Sequence, residues 1–311
     1  MRIDRCLVRK GRDKPATLRH EKSGEMIVFP TSFEYHRATS VADAVAMLAE
    51  RPDAKLLAGG HSLIPAMKLR LAAPGMLVDL GPVAELKGVA LGDGVATIGA
   101  MTTYDELRLA DGVGAAFSAV VEAINVIGDQ QVRANGTIGG ALAHNDPAAD
   151  LTAVFLALGG SVEVVGSSGQ RTIDGEELFV DLWTTSLEPD DVITRVMLPM
   201  PAGGVRSAYK KHAHPASGYA VVGVAVAIEE AGGVVSKASI VVTGATSKPT
   251  HAAAAEAAMA GKPFAGATIA EAAALAADGL EINGDAYASE TYRAQLIKVL
   301  TKRALEAARN R

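Results

Sequence analysis

The sequence predicts an α+β protein, and three features of the chain predict it. Near the N-terminus, a segment with helical periodicity alternates with short strand-like runs. Pro199, Pro201 and the pair Gly203-Gly204 then form a boundary of turn-forming residues. Beyond this boundary, three long runs rich in β-branched residues precede alanine-rich segments of helical character. We therefore expect an N-terminal region of helices and strands and a C-terminal region of a sheet with helices.

Composition places the chain among globular proteins and excludes several functional classes. Hydrophobic residues make up 49% and charged residues 21% of the 311 residues, which argues against disorder. The formal net charge of -5 lacks the basic surplus of nucleic-acid binders, so no nucleic-acid partner is expected. The single cysteine, Cys6, excludes an intrachain disulfide, a cysteine-ligated zinc site and an iron–sulfur cluster held by this chain alone. This cysteine usage fits the reducing cytoplasm.

No segment is predicted to span a membrane. The longest fully apolar run, Val221–Ile228, is far shorter than the ~18 residues that a spanning helix needs, and its β-branched content indicates a buried strand. Residues 1–25 carry eight Lys and Arg against four Asp and Glu, without the apolar centre of a secretory signal. We interpret them as a flexible basic leader before a domain that starts at Met26. The alternative is a short basic arm that contacts a partner.

The first element of this domain is predicted to be a helix. Ser40 is suited to an N-cap, and Pro52 ends the helical pattern. The apolar residues fall on one helical face: Val41, Ala44, Val45 and Leu48. Two strand-like runs follow, Lys55–Ala58 and Met76–Leu80. Residues 26–82 are therefore expected to form a small α/β unit.

The middle of the chain, residues 83–201, is dense in glycine and is expected to hold fewer helices. Its strand candidates are Val95–Ile98, Ser161–Val165 and Val192–Leu198. Its helix candidates are Thr103–Leu109 and Ala148–Leu158. After the boundary, the strand candidates are Arg206–Lys211, Ala220–Glu229 and Val234–Gly244. The alanine-rich remainder is expected to end in a helix over Ser289–Arg309.

Two glycine pairs carry the clearest chemical signal. Gly59-Gly60 directly follows a strand candidate and precedes Ser62, and Gly139-Gly140 follows Thr137. Consecutive glycines allow positive φ and leave no Cβ in a ligand's way, so successive N–H groups can form a nest for a pyrophosphate. Each pair alone is a weak signal, because glycine is common here. The sequence contains neither a Rossmann G-x-G-x-x-G after a strand nor a P-loop, which disfavours both of those sites.

Other polar groups in the sequence have simpler explanations than a catalytic or metal site. The spacing of His212 and His214 suits one side of a strand, but no third metal ligand is evident. His144 and Asp146 belong to a sequence that favours a turn over an acid–base pair. Trp183 is predicted to serve packing. Neither a catalytic residue nor a metal site is therefore expected in this chain.

Two longer segments resemble known flavin-binding signatures. Leu57–Arg70 (LAGGHSLIPAMKLR) and Gly136–Asp150 (GTIGGALAHNDPAAD) resemble those of the FAD-binding medium subunits of molybdenum hydroxylases, the carbon monoxide dehydrogenase, xanthine dehydrogenase and aldehyde oxidase relatives. The resemblance is greatest to the carbon monoxide dehydrogenase branch and spans about residues 26–309. It also includes three shorter matches: Ser32–Arg37, Gly99–Tyr104 and Tyr292-Arg293.

The resemblance implies a fold, a function and a set of partners. The fold would be a two-subdomain FAD-binding domain of the p-cresol methylhydroxylase / vanillyl-alcohol oxidase type at 26–201, with subdomains 26–82 and 83–201, followed by a domain of antiparallel sheet and helices at 202–311. A large subunit would carry the molybdenum cofactor and a small subunit two [2Fe–2S] clusters, in a dimer of such heterotrimers. FAD on this chain would pass electrons from the clusters to an external acceptor. The expected location is the cytoplasm, where the complex can meet the inner face of the membrane.

The resemblance also assigns cofactor contacts to individual positions. One segment for the FAD pyrophosphate and ribityl chain consists of Leu56, Leu57, Ala58, Gly59, Gly60, His61, Ser62 and Leu63. The other consists of Thr137, Ile138, Gly139, Gly140 and Ala141, where Ala141 replaces an asparagine that is frequent in the family. Asp150 would lie near the adenosine, and Ile127 and Ile193 would line the cofactor. Lys211 and Tyr219 would lie beside the isoalloxazine, although Lys210 is an alternative to Lys211.

Two other functions remain open at this stage. The first is a stand-alone FAD-dependent oxidase or reductase, for which the sequence shows no clear acid or base to place beside the flavin. The second is a flavin-free scaffold subunit, which only the replacement at Ala141 supports. Retention of both glycine motifs argues against the scaffold.

Overall fold

The computed structural model describes residues 29–92, 94–201 and 205–311. The predicted basic leader of residues 1–25, with Cys6, lies outside the described residues. Within them the α+β class is confirmed, because helices and strands form two N-terminal units and one C-terminal sheet with helices. None of the helices in these three ranges combines the length and apolar character that a bilayer span needs.

The first unit is a small parallel sheet with two helices. Its strand order is β1-β3-β2, with bounds Glu34–Arg37 (β1), Ala54–Leu57 (β2) and Met76–Asp79 (β3). Its helices are Val41–Glu50 (α1) and Leu63–Lys68 (α2). As predicted, Ser40 caps α1 by accepting a hydrogen bond from the N–H of Asp43. The Asp43 carboxylate in turn accepts from the N–H of Thr39.

The second unit is a five-stranded antiparallel sheet with helices. The strand order is β4-β5-β10-β6-β7, with bounds Val89–Leu91 (β4), Val95–Gly99 (β5), Ser161–Gly166 (β6), Gly169–Asp174 (β7) and Val192–Pro199 (β10). A two-stranded hairpin lies beside it, Phe179–Asp181 (β8) and Thr184–Thr185 (β9). The helices are Tyr104–Leu109 (α3), Val113–Ala116 (α4), Ser118–Asn125 (α5), Gln130–Asn135 (α6), Ile138–His144 (α7), Asp150–Ala157 (α8) and Gly175–Leu178 (α9).

This unit contains more helix than the sequence predicted. Residues 113–144, expected to be glycine-dense and poor in helix, form four short helices, α4 to α7. Gly112 directly precedes α4 and Gly128 lies between α5 and α6, and both have the positive φ that lets the chain change direction there. These helices have only four to eight residues each, so no long apolar period marks them in the sequence.

The C-terminal unit is an antiparallel sheet covered by helices. Its strands are Val205–Ala213 (β11), Ala220–Ala231 (β12), Val234–Thr243 (β13) and Thr250–His251 (β14), in that order. Its helices are Ala253–Met259 (α10), Gly266–Leu275 (α11) and Glu290–Arg309 (α12). The run Val221–Ile228 is buried along its whole length within β12, which confirms the predicted buried strand. Arg293 of α12 is buried and donates to the backbone oxygen of Val221 at 2.8 Å.

The C-terminal sheet is buried between two layers of helices. Most of its apolar residues form one core with α10, α11 and α12, while Tyr209, Ala225 and Val241 belong to the core of the second N-terminal unit. A hydrogen bond also connects the C-terminal sheet to the N-terminal units along this boundary, which we call the seam. The N–H of Gly244 donates to the carbonyl of Pro147 at 2.7 Å. The loop between α7 and α8 is thus attached to the end of β13.

Candidate functional site

The two glycine motifs, far apart in the sequence, lie against each other in the structure. The first joins β2 to α2, and the second lies at the start of α7. A Cβ built on Gly59 would lie 2.0 Å from the backbone oxygen of Asn135. A Cβ on Gly140 would lie 3.5 Å from the Cβ of Ala58. The two segments that the resemblance assigns to one cofactor therefore share one place.

The first motif presents a row of backbone N–H groups. Gly60 has a φ of +74°, a left-handed conformation that favours glycine. From Gly59 to Leu63, no N–H donates to an acceptor within the residues that the structure describes. The hydroxyl of Ser62 makes no capping bond to α2. Adjacent N–H groups of this kind form an anion-binding concavity, so the residues present fit the pyrophosphate of a dinucleotide such as FAD.

The second motif is the first turn of a helix. Thr137 is the N-cap of α7, and its side-chain oxygen accepts a hydrogen bond from the N–H of Gly140 at 3.2 Å. The N–H of Ala141 donates to the Thr137 carbonyl at 3.0 Å. The N–H groups of Ile138 and Gly139 donate to carbonyl oxygens just after β5, at 3.1 and 2.9 Å. The N–H groups of this motif are therefore already bonded within the protein.

This geometry corrects the prediction that both motifs act as anion nests. The glycines of the second motif permit close packing: a Cβ on Gly139 would lie 2.6 Å from the Cβ of Ala100. A Cβ on Gly136 would lie 2.7 Å from the ring of Tyr104. The Thr137 hydroxyl can still donate its own hydrogen to a ligand, because its oxygen only accepts from Gly140.

The remaining residues of the first segment frame this loop. Leu56 and Leu57 end β2 and are half-buried, as are Ala58 and Leu63. His61 is exposed, and its Nε2 lies 2.8 Å from the backbone oxygen of Gln131. The His61 ring therefore links the first motif to α6, which leads into the second motif.

Asp150 lies at the seam between the N-terminal units and the C-terminal sheet. It is the first residue of α8 and is 6% exposed. The hydroxyl of Tyr209 donates to its Oδ1 at 2.5 Å, and Lys211 Nζ donates to its Oδ2 at 2.9 Å. Burial raises the pKa of Asp150, although Lys211 and Tyr209 oppose this shift. Both oxygens of Asp150 are thus held by donors of the protein, and its place beside the adenosine stays a prediction.

The structure distinguishes the two adjacent lysines. The Lys211 side chain is 2% exposed, and its ammonium also donates to the carbonyl of Val126 at 3.0 Å. The Lys210 side chain is 35% exposed and pairs with Glu122 at 3.5 Å. Because an ammonium has three N–H groups, Lys211 keeps one without an acceptor among the described residues. Lys211 is therefore the better candidate for a buried contact to a cofactor.

Of three further predicted residues, two lie on loops near the Lys211 end of the seam. Ile127 is half-buried and follows Val126, the residue that Lys211 holds. Tyr219 is 47% exposed and follows Gly218, whose built Cβ would lie 3.6 Å from the Cα of Gly128. Ile193 is buried in β10 and belongs to the core of the second unit. Tyr219 and Ile127 are thus on loops in contact, whereas Ile193 lies in the hydrophobic core, and its contact with the cofactor stays a prediction.

Tyr209 and Tyr104 are the functional candidates that the sequence did not single out. Tyr209 is two residues from Lys211 on one strand, so a polar alternation along β11 was the available signal. Tyr104 packs its ring on Gly136, and burial raises the pKa of its hydroxyl. Tyr209 is a buried polar group at the seam, and Tyr104 is a half-buried one beside the second motif.

The weaker constellations of the sequence have structural explanations. Asp146 accepts a hydrogen bond from the N–H of Ala148 at 2.8 Å, in the predicted turn. His212 and His214 each contact a tyrosine ring of the C-terminal unit. No group of three or more His, Cys, Asp or Glu suited to a metal ion occurs within the described residues. The packing prediction for Trp183 is wrong: its side chain is 60% exposed, at a φ of +49°.

Comparison with known proteins identifies the family to which the two parts of the chain are similar. Residues 31–201 match the family described as the FAD binding domain in molybdopterin dehydrogenase. Residues 207–308 match the CO dehydrogenase flavoprotein C-terminal domain. The two matched segments adjoin and cover most of the chain.

Individual relatives cover nearly the whole chain. The carbon monoxide dehydrogenase medium chain of Afipia carboxidovorans is 37% identical over 289 residues, 91% of this chain and 99% of the relative. The glyceraldehyde dehydrogenase medium chain of Sulfolobus acidocaldarius is 32% identical, over 90% of this chain and 99% of the relative. The structure of carbon monoxide dehydrogenase from Hydrogenophaga pseudoflava matches with a TM-score of 0.87 and 38% identity, over 91% of this chain and 99% of that one.

These matches confirm the resemblance and the FAD-binding role. In this family the molybdenum cofactor and the iron–sulfur clusters belong to a large and a small partner subunit. The described fold, with an FAD-binding domain followed by a sheet-and-helix domain, agrees with that architecture. The chain belongs to the FAD-binding medium subunits of the molybdenum hydroxylases, oxidoreductases of the carbon monoxide dehydrogenase and xanthine dehydrogenase type.

Proposed function

We propose that this chain carries electrons within a molybdenum hydroxylase, from [2Fe–2S] clusters of the small subunit through its FAD to an external acceptor. The observation that carries the proposal is the row of backbone N–H groups from Gly59 to Leu63, without acceptors in the described part of the chain, at the place where both glycine motifs meet. A chain with one cysteine cannot hold such a cluster by itself, so the clusters of this proposal belong to a partner subunit.

Each end of the site has a distinct task in this proposal. The N–H groups of the first motif, with the Ser62 hydroxyl and the Thr137 hydroxyl, hold the pyrophosphate. The third N–H of Lys211, which has no acceptor among the residues that the structure describes, positions the flavin ring at the seam together with Ile127 and Tyr219. When bound, FAD accepts electrons singly or in pairs and so connects one-electron clusters to a two-electron acceptor. The protein binds and orients the ring, and needs no acid–base set for this transfer.

The partners and location follow from the same proposal. The relatives are named for carbon monoxide and glyceraldehyde, so the family accommodates different substrates around one type of medium chain. We place the substrate on the large subunit, assembled with this chain and the small subunit in a dimer of heterotrimers. The complex would work in the cytoplasm, where thiols remain reduced.

The test follows the clusters of the assembled complex after they are reduced. With FAD bound, added acceptor should reoxidise the clusters rapidly, as seen in their visible absorbance. After removal of FAD, reoxidation should slow at least tenfold and recover when FAD is restored. Equal rates with and without FAD would contradict the electron path. Turnover of an organic substrate by this chain with FAD alone would instead support a stand-alone oxidase.

A further inference from the structure

A buried polar cluster crosses the seam between the N-terminal units and the C-terminal sheet. Asp150 comes from α8, whereas Tyr209 and Lys211 come from one side of β11. The hydroxyl of Tyr209 donates to Asp150 Oδ1 at 2.5 Å, and Lys211 Nζ donates to Oδ2 at 2.9 Å. Tyr209 is 2% exposed and Asp150 is 6% exposed. Each carboxylate oxygen therefore has its own donor in a site nearly closed to water.

The cluster extends to the loop that carries Ile127. The second bond of Lys211 is to the carbonyl of Val126 at 3.0 Å, directly before Ile127. Gly128 follows with a φ of +40°, and this loop lies against the turn at Gly218. The position of the Lys211 ammonium is therefore fixed by Asp150 on one side and by this loop on the other.

The Tyr209 hydroxyl is closely surrounded by neighbouring elements. The N–H of Tyr209 donates to Glu122 Oε2 at 2.7 Å, which holds the backbone of β11 against α5. On the neighbouring strand, a Cβ at Gly223 would lie 2.1 Å from the hydroxyl oxygen. Only a glycine at that point of β12 leaves room for the hydroxyl beside Asp150. Gly223 and Glu122 together thus allow the Tyr209 hydroxyl to lie beside Asp150.

The chemistry of the cluster depends on the charge of Asp150. Two donors on two oxygens favour the ionised carboxylate, which balances the ammonium of Lys211. Without the Tyr209 hydroxyl, Oδ1 of Asp150 would be a buried acceptor with no partner. Protonation of the carboxylate would then become more favourable. Among the described residues, Tyr104 and Tyr219 also interact with Asp150, and both are uncharged at neutral pH. Protonation of Asp150 would leave the Lys211 charge unbalanced.

We propose that Tyr209 is a positioning residue that keeps Asp150 as the counter-charge of Lys211 and thereby sets the reduction potential of the bound FAD. The inference rests on the proposed function in one respect, the place of Lys211 beside the flavin ring. An unbalanced ammonium there stabilises the more negative, reduced ring, so loss of the counter-charge makes the potential more positive.

The test is the variant Tyr209→Phe in the assembled, FAD-loaded complex. The flavin midpoint potential is measured against redox dyes between about pH 5 and pH 9. The potential of Y209F should be more positive than that of the wild type on the acid side, where its Asp150 is protonated. The two curves should converge at higher pH, where Asp150 is ionised in both proteins.

The matched control is Tyr35→Phe. Tyr35 also donates to an aspartate, Asp79, at 2.5 Å. Tyr35 lies on β1 of the first unit, outside the seam cluster, and its side chain is half-exposed. This variant removes the same atom from the same type of pair. Its curve of potential against pH should coincide with that of the wild type. An equal shift in Y35F would show a general effect of losing a tyrosine hydroxyl and would overturn the proposal.

Further outcomes separate this inference from the proposed function. If Y209F binds FAD and its curve coincides with the wild type, Tyr209 is only structural and the inference fails alone. If the wild-type complex fails to bind FAD, the proposed function fails first. If Y209F does not fold, carboxyl carbon NMR of the wild-type, FAD-free chain decides. An ionised Asp150 at pH 7 supports the proposal, and a protonated one overturns it.

Discussion

Gly59 is the residue at which the two glycine motifs touch. Its built Cβ would lie 2.0 Å from the backbone oxygen of Asn135, so a side chain must push the motifs apart. We expect Gly59→Ala to lower the free energy of unfolding by about 1–3 kcal/mol. We also expect it to weaken FAD binding by roughly tenfold or more, since 1.4 kcal/mol corresponds to about a factor of ten. Thermal unfolding and a fluorescence titration with FAD measure the two effects.

Gly114→Ala is the matched control for that substitution. Gly114 lies in α4, and its built Cβ would meet only Val121, at 3.9 Å, which is an ordinary contact. This variant should bind FAD as the wild type does, with stability unchanged or slightly raised. Wild-type FAD affinity in Gly59→Ala would show that the contact between the motifs is dispensable for binding.

Asn145 combines an unusual backbone with two buried hydrogen bonds. It is fully buried with a φ of +46°, and its Nδ2 donates to the carbonyls of Asp181 and Thr184, each at 2.9 Å. Asn145→Ala should cost about 2–4 kcal/mol of unfolding free energy, from the lost bonds and the strained φ together. Asn145→Gly keeps the backbone relaxed and should cost about 1 kcal/mol less, as chemical denaturation would measure. Equal losses would mean that the hydrogen bonds alone matter.

At the scale of elements, α7 joins a structural cap to the cofactor site. The Thr137 hydroxyl caps this helix and retains a hydrogen to donate. Thr137→Ala should lower stability by about 1 kcal/mol and weaken FAD binding, whereas Thr137→Ser should preserve both. Ser40→Ala removes the equivalent cap from α1 and should lower stability without changing FAD affinity. Calorimetric titration with FAD checks this separation, and an equal loss of affinity in Ser40→Ala would contradict it.

Elements with local signals were predictable from the sequence, and the others were not. Helix α1 has a cap and a clear apolar period, and strands β11 to β13 are long and β-branched, so their prediction is confirmed. Helices α4 to α7 have four to eight residues each, too few for an apolar period to reveal them. The second glycine motif illustrates the difference: its sequence suits a nest, but packing against the end of β5 makes it a helix start.

At the scale of the whole molecule, His251 lies between a carboxylate of the C-terminal unit and a carboxylate of the second N-terminal unit. Its Nδ1 lies 2.6 Å from Glu256 of α10, and its Nε2 lies 2.9 Å from Glu176 of α9. Chiefly through the bond to Glu256, these carboxylates raise the pKa of His251. Protonated His251 therefore stabilises the fold fully below its ordinary value of 6.5, and this contribution is lost as the pH rises through the higher folded value.

The prediction compares the wild type with His251→Gln. The wild type should be the more stable protein at about pH 6, by roughly 1 kcal/mol, and this advantage should shrink at about pH 9. Chemical denaturation at several pH values measures it. Glu176→Gln removes one of the two carboxylates and should remove part of the pH dependence. Parallel curves for wild type and His251→Gln would show that the histidine does not titrate in this range.

Contacts between residues far apart in the chain could not be predicted from local patterns in the sequence. Asp150 meets Tyr209 and Lys211 across 59 and 61 residues, and no local pattern encodes that meeting. The resemblance could assign Asp150 to the site, but its partners depend on how the sheet docks on α8. The choice between Lys210 and Lys211 likewise needed the burial that docking produces.

The seam between the C-terminal sheet and the N-terminal units bears on how this chain can be divided. Without β11 and β12, the helices α5 and α8 would expose core surface to water, and Asp150 would lose both of its donors. The loop before α8 would also lose its attachment at Gly244. The FAD-binding half therefore depends on the C-terminal half for its packing. Transfer of the FAD-binding half into another protein requires that the C-terminal half be included.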